Sequence, residues 1–183
     1  RITTAQVLGN LRDKRAFPAL LEALKDASSR IRATAARSLG RLEEPGAGEA
    51  LIEALKDEEV RVRLYAAESL GDLGVASAIE PLKELLQEED ARTRCASATA
   101  LGKLGDKSGL DVALKELDNE DIQIKTEAIR ALGYIGDTSE PVVNGLKKAL
   151  KDKNMSVRRV AEMAANQLRI EIKTEEEEKP KSE

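Results

Sequence analysis

The dipeptide Leu-Gly returns at one fixed interval, at Leu8-Gly9, Leu39-Gly40, Leu70-Gly71, Leu101-Gly102 and Leu132-Gly133, each glycine 31 residues after the last. A period between about 20 and 50 residues marks a stacked-repeat architecture, because a unit of that size cannot bury its apolar face alone. Neighbouring units must then supply one another's core, which constrains this chain more than any other feature of it. Repeat proteins of this kind work through an extended surface rather than through one closed pocket.

Each unit reads as two helices. In the first complete one, residues 16–25 (AFPALLEALK) space Phe17, Leu20, Leu21 and Leu24 as a helix does. Asp26-Ala27-Ser28-Ser29 breaks that pattern with residues suited to capping, and residues 30–42 (RIRATAARSLGRL) read as the second helix. The pair returns at 47–73, 78–104, 109–135 and 140–169, and a lone second-type helix precedes them at 1–11. Eleven helices and an all-α chain result. Leu117 to Leu150 spans 33 positions where the other units span 31, so the first helix of the last pair carries two extra residues. Aromatics at 2% and charged residues at 35% favour helices that approach closely over small side chains, and argue against a β-sandwich.

Take the repeat glycine as the origin of a helical wheel, at about 100° per residue. Ile31, Ala35, Ala36, Leu39 and Leu42 then fill one arc, which is the buried face. Arg32 falls in the middle of that arc, and the same slot holds Arg1, Arg63, Arg94, Lys125 and Arg158. Six residues earlier stand Asp26, Asp57, Glu88, Asn119 and Asp152. A buried guanidinium needs a partner, and a carboxylate at the turn between helices can accept its planar fork. Regularly spaced arginines could instead track phosphates, but the wheel position and the paired acids favour an internal ladder. Charge points the same way. Six glutamates against three lysines put −3 of the formal −4 on residues 171–183, leaving the rest nearly neutral and a nucleic-acid partner without its main driving force.

The succession Asp, apolar-Arg, Ala-Ala, Leu-Gly resembles the HEAT-like repeat, in the short form associated with phycobilisome lyases. The resemblance covers roughly residues 1–170. It implies a right-handed α-solenoid of HEAT-like helix pairs, five full repeats plus an N-terminal half repeat, with first helices convex and second helices concave. It also implies that the arginines and acids form a ladder through the stack. Lys125 with Asn119 should weaken one rung, while Ala165-Asn166 in place of Leu-Gly, with Glu162 in an apolar slot, suits a C-terminal cap that faces water. Residues 171–183 carry no apolar period and are expected to form a disordered acidic tail. The chain opens at Arg1 rather than Met, on a second-type helix, an end expected to pair with an upstream repeat or another subunit.

Slots seven, six and three before the glycine, and one after it, lie opposite the buried arc and would line the concave groove. There stand Arg37 and Arg41, then Tyr65, Glu68 and Asp72, then Cys95, Thr99 and Lys103. Glu127, Arg130 and Tyr134 follow, and Met163 comes last. These side chains change from copy to copy while the buried arc hardly does, so packing fixes one face and leaves the other free. Both tyrosines of the chain lie on it, and Tyr and Arg are the types that most often anchor interfaces. The mixed charges suit a specific protein partner better than a uniform polyanion.

Histidine is absent, which removes the commonest general base and transition-metal ligand, and with it the HEAT-like hydroxylases that bind iron through His-Glu pairs. Cys95 stands alone, so no disulfide forms within the chain and a reducing, cytoplasmic setting is expected. Without a histidine to activate it, Cys95 reads as a small, partly buried residue rather than a nucleophile or a bilin attachment point. No apolar run reaches the roughly 18 residues of a membrane span. No metal cluster, cofactor loop or nucleophile–base pair emerges. The expected function is therefore a non-catalytic protein–protein interaction scaffold. The resemblance alone offers a bilin lyase subunit or chromophore-handling protein instead, and, by architecture only, a HEAT-like DNA-binding protein.

Overall fold

The computed structural model of the chain describes residues 13–44 and 46–170. Among them every regular element is a helix, arranged as five pairs. The first helices are α1 (Phe17–Ala23), α3 (Ala47–Ala54), α5 (Ile79–Leu85), α7 (Leu110–Glu116) and α9 (Glu140–Leu150). The second helices are α2 (Ser29–Leu42), α4 (Val60–Leu73), α6 (Ala91–Lys103), α8 (Ile122–Ile135) and α10 (Met155–Gln167). The chain is an α-solenoid. The half repeat expected at 1–11 and the tail expected at 171–183 lie outside the described residues. The two-residue insertion falls in the longest first helix: α9 has 11 residues where α7 has 7, four more, so the insertion accounts for half of the difference.

The second helices stack directly on one another, and the repeat glycine is where they cross. A Cβ added at Gly71 would lie 2.8 Å from Ala100 Cα; at Gly102 it would lie 2.7 Å from the Ile135 nitrogen and 2.8 Å from the Tyr134 carbonyl carbon. At Gly40 it would fall 2.3 Å from Ser69 Oγ, and that hydroxyl donates to the Ala36 carbonyl at 3.0 Å, bridging the two helices. No side chain fits in such a crossing. Leu39, Leu70, Leu101 and Leu132 beside the glycines are fully buried, as are Leu51, Leu82 and Leu146 from the first helices. The first helices scarcely meet one another. A stack held tight along one row of helices and loose along the other must bend, with the second helices on the inner face. The stack-facing slots of α10 hold Glu162 and Asn166, and both are exposed, as a water-facing cap requires.

The arginine column is an internal ladder, but its rungs run between repeats. Arg32 Nη1 donates to the carbonyls of Asp26 and Ala27 in its own turn, at 3.0 and 3.2 Å. Its Nε and Nη2 donate to the Asp57 carboxylate of the following repeat, at 2.7 and 2.9 Å. Arg63 follows with a less complete set: Nη1 donates to the Asp57 carbonyl at 2.8 Å and Nη2 to Glu88 at 3.3 Å, while its Nε is buried without a hydrogen-bond partner. Asp57 and Glu88, each six residues before an arginine, therefore give the carbonyl to their own arginine and the carboxylate to the previous one. Asp57 does a third thing, accepting the Glu59 N–H at 2.9 Å to shape the turn. The Arg32 bonds hold its carboxyl below the usual aspartate range.

Asn119 does not merely weaken its rung, as its sequence suggests. It donates to Glu116 Oε2 at 2.8 Å, while Glu116 Oε1 accepts Arg94 Nη2. The rung has moved three residues back onto a buried carboxylate. Burial pushes the Glu116 carboxyl up, yet the Arg94 and Asn119 bonds outweigh it and leave it below its ordinary value. Lys125 reaches Asp152 at 3.0 Å, and Arg158, exposed at the end, donates to the carbonyls of Asp152 and Lys153.

Gly102→Ala is expected to destabilise the chain by about 1–3 kcal/mol, because the backbone it meets cannot yield. Gly133→Ala meets the movable Gln167 Oε1, at 3.1 Å, and Ala164 at ordinary contact distance, its methyl at 3.4 Å and its Cα at 3.5 Å. It is expected to be neutral or to gain up to about 1 kcal/mol of helix propensity. Denaturant unfolding distinguishes the two, and equal losses would mean that close approach does not set the period. Asp57→Asn keeps the turn but leaves Arg32, whose side chain is 11% exposed, with only the exposed Glu58 at 3.3 Å as a counter-charge, and should cost about 2 kcal/mol. Asp118→Asn breaks the Lys148 pair, 74% and 71% exposed, and should stay within about 0.5 kcal/mol.

Candidate protein-binding groove

The bend places the variable slots of the second helices along one trough. A hollow of about 630 Å³ crosses three of these helices. Leu64, Tyr65 and Glu68 of α4 make one wall, Gln123, Thr126 and Glu127 of α8 the other, and Ala96 of α6 lies between. The hollow exists because α6 (ARTRCASATALGK) carries small residues where its neighbours carry large ones. A second hollow of about 360 Å³ continues toward α2, lined by Arg37, Arg41, Glu43, Ser69 and Asp72. Glu68 borders both.

Polar side chains of the trough are tied across repeats. Lys103 donates to Asp72 at 2.6 Å and stands 4.8 Å from the centre of the Tyr134 ring. The Arg37 guanidinium lies 5.3 Å from the Tyr65 ring centre, and Arg130 donates to both Glu127 oxygens at 2.6 Å. These contacts hold the aromatic rings and the longer cations in defined positions. Glu68 differs. It makes no hydrogen bond or ion pair among the described residues, and burial, with Glu127 nearby, pushes its carboxyl above the usual glutamate range despite Arg37 and Lys103.

Of the residues read from sequence as the concave face, Arg37, Arg41, Asp72, Arg130, Tyr134 and Met163 are exposed, and Glu68, Lys103 and Glu127 are half-buried in the trough. Tyr65 is also half-buried: it lines the hollow while packing against the core. Thr99 is a correction. It is only 6% exposed, because α4 and α8 close in on both sides of α6 and its short side chain does not rise between them. Cys95 is fully buried for the same reason, and burial pushes its thiol up to about 12, far from a thiolate nucleophile. The sequence reading missed the pairing of trough residues one repeat apart, although Asp72 and Lys103 stand 31 residues apart and the period itself signals it. Among the described residues no group of three or more His, Cys, Asp or Glu could hold a metal ion. None of the helices is long and apolar enough to cross a membrane.

The Glu68 carboxyl sets a testable sign. A carboxylate whose folded pKa is raised binds more protons folded than unfolded, so stability falls as pH rises from its unfolded value through the folded one. Glu68→Gln is therefore expected to raise the melting temperature at neutral pH, with the gain vanishing in acid below the ordinary glutamate range. Thermal unfolding against pH checks it; a loss of stability at neutral pH would mean that Glu68 has a partner.

A family model of HEAT repeats matches residues 1–62 and 48–115, and one of the PBS lyase HEAT-like repeat matches residues 124–152. A comparison with curated proteins finds no match. Several solved structures are similar throughout. Escherichia coli YibA is 20% identical, with 90% of this chain and 64% of that one covered and a TM-score of 0.66. A designed armadillo repeat protein in complex with the peptide (KR)4 is 19% identical, with 91% of each chain covered and a TM-score of 0.63. The complex of CpcE and CpcF of phycocyanin lyase from a Nostoc species matches at 22% identity over 83% of this chain and 99% of that one, with a TM-score of 0.60. At such identities the likeness is one of fold. The HEAT-repeat match spans most of the solenoid and agrees with its helix pairs, its glycine crossings and its arginine ladder, and the chain belongs to the HEAT-repeat family.

Proposed function

We propose that this chain is a non-catalytic interaction module that holds a protein partner in the trough of its second helices. The carrying observation is the contrast between the two faces of those helices. One repeats nearly unchanged and is buried, while the other differs in every copy and holds the exposed apolar side chains Tyr134 and Met163, 39% and 63% exposed. Surfaces that pair an anchored aromatic with mixed, pre-positioned charges suit recognition of one protein rather than of a polymer of uniform charge. Two similar folds support the reading: one is in complex with a peptide, and another is in a complex of two proteins, CpcE and CpcF. Catalysis has no support from the trough, where the one thiol is buried and protonated.

The match of residues 124–152 to the PBS lyase HEAT-like repeat keeps chromophore handling as the second reading. One experiment separates the two. The full chain is immobilised, partners are captured from native lysate and identified by mass spectrometry, and bilin is titrated in parallel. Tyr134→Ala with Met163→Ala is expected to leave the melting temperature unchanged, since both side chains are exposed, and to cut capture of the same protein about tenfold or more. Capture unaffected by the double variant would overturn the trough reading. A visible absorbance band that follows bilin addition would favour chromophore handling.

A further inference from the structure

Glu68 stands at the divide between the two hollows of the trough, and the charges facing it come from every helix packed around it. From α2 comes Arg37, from α6 Lys103, from α8 Glu127, and from its own helix Asp72. Each of these is already engaged. Arg37 lies over Tyr65, Lys103 holds Asp72, and Glu127 holds Arg130 through both oxygens. Glu68 itself makes no hydrogen bond or ion pair among the described residues, and Arg37 and Lys103 act on it only from a distance. Water does not fully replace a direct partner, because burial penalises its charge. The apolar side chains beside it, Leu64 and Tyr65, with Ala96 across the hollow, offer a surface for an aliphatic stem. The hollow is thus matched to a group that is apolar along its length and cationic at its head.

We propose that the trough takes a lysine or arginine side chain of its protein partner, with the cationic head at Glu68 facing Glu127 and the stem over Leu64 and Tyr65. This rests on the reading of the trough as a partner-binding groove and names the chemistry it selects. Glu59 lines the same hollow and adds to the attraction, while Arg61 and Arg92, exposed beside it, repel a second cation, which favours one seated basic side chain over a run of them. Seating the cation also draws the proton off Glu68, so binding releases protons where the free carboxyl is partly protonated.

The probe is a short synthetic peptide alternating arginine with serine, labelled with a fluorophore, beside its counterpart with glutamate for arginine. Both are titrated at moderate salt against the full chain and against Glu68→Gln. The arginine peptide is expected to bind the parent and to bind Glu68→Gln about tenfold more weakly, which corresponds to about 1.4 kcal/mol. The glutamate peptide is expected not to bind. Calorimetry near pH 5 in two buffers of different ionisation enthalpy is expected to show proton release by the parent and none by the variant. Equal affinity of the two chains for the arginine peptide, or no binding by the parent, would overturn the proposal. Capture that still depends on Tyr134 and Met163 while the peptide fails would leave the interaction reading standing and remove only the basic-side-chain site.

Discussion

A Cβ at Gly102 would stand 2.7 Å from a backbone atom of the next second helix, closer than any real Cβ contact, and much of the rest of the molecule follows from that crossing. Because consecutive second helices touch backbone to backbone, their spacing is set by glycine and alanine rather than by leucine. The first helices carry no such crossings and spread apart. The difference in spacing bends the stack, and the bend creates a trough from helix faces that would otherwise lie flat. The Leu-Gly period is thus a steric period before it is a sequence pattern. Where the crossing relaxes, at Gly133 against Ala164 and Gln167, the stack is one helix from its described end.

The ladder does a different job from the crossings. Dispersion and apolar burial hold neighbouring repeats together but do little to fix how far one slides along the next. An arginine that must reach two carbonyls of its own turn and a carboxylate of the following turn does fix it, because all three acceptors are directional. The structure shows how far this requirement bends the sequence: when Asn119 replaces the acid, Glu116 takes over from one turn earlier and Asn119 turns to support it. The rung survives a change that the bare pattern reads as its loss. Position along the helix is negotiable; a carboxylate within reach of the guanidinium is not.

The helix pairs, their lengths and the buried arc were legible because one period repeats and every copy reports on the others. The extra half-turn of α9 could be read from a two-residue change in spacing. What could not be read was anything depending on how one repeat sits against the next. The wheel put Thr99 on an open face because it treats each helix as isolated, and neighbours then buried it. It placed Tyr65 and Tyr134 alike, yet packing on the core claims the first ring and leaves the second exposed beside Lys103. The partner of each arginine was sought within its own unit because the local spacing is constant, whereas the bond is made one repeat away. A repeated sequence reveals the slots. The interactions between slots belong to the stack.

That division also explains where the trough keeps its cost. The ladder positions are paired in copy after copy, with Arg63 Nε the buried exception, and the trough satisfies Asp72, Lys103, Glu127 and Arg130 with pairs made across or along the helices. Against that background a carboxylate penalised by burial is out of step with everything around it. The same slot holds threonine in α6 and methionine in α10, so the solenoid accommodates an uncharged side chain there. A fold assembled from interchangeable units has easy access to such replacements. An uncompensated charge that lies on the variable face, beside an apolar hollow and next to a positioned aromatic ring, is therefore best explained by what enters the trough rather than by what holds it together.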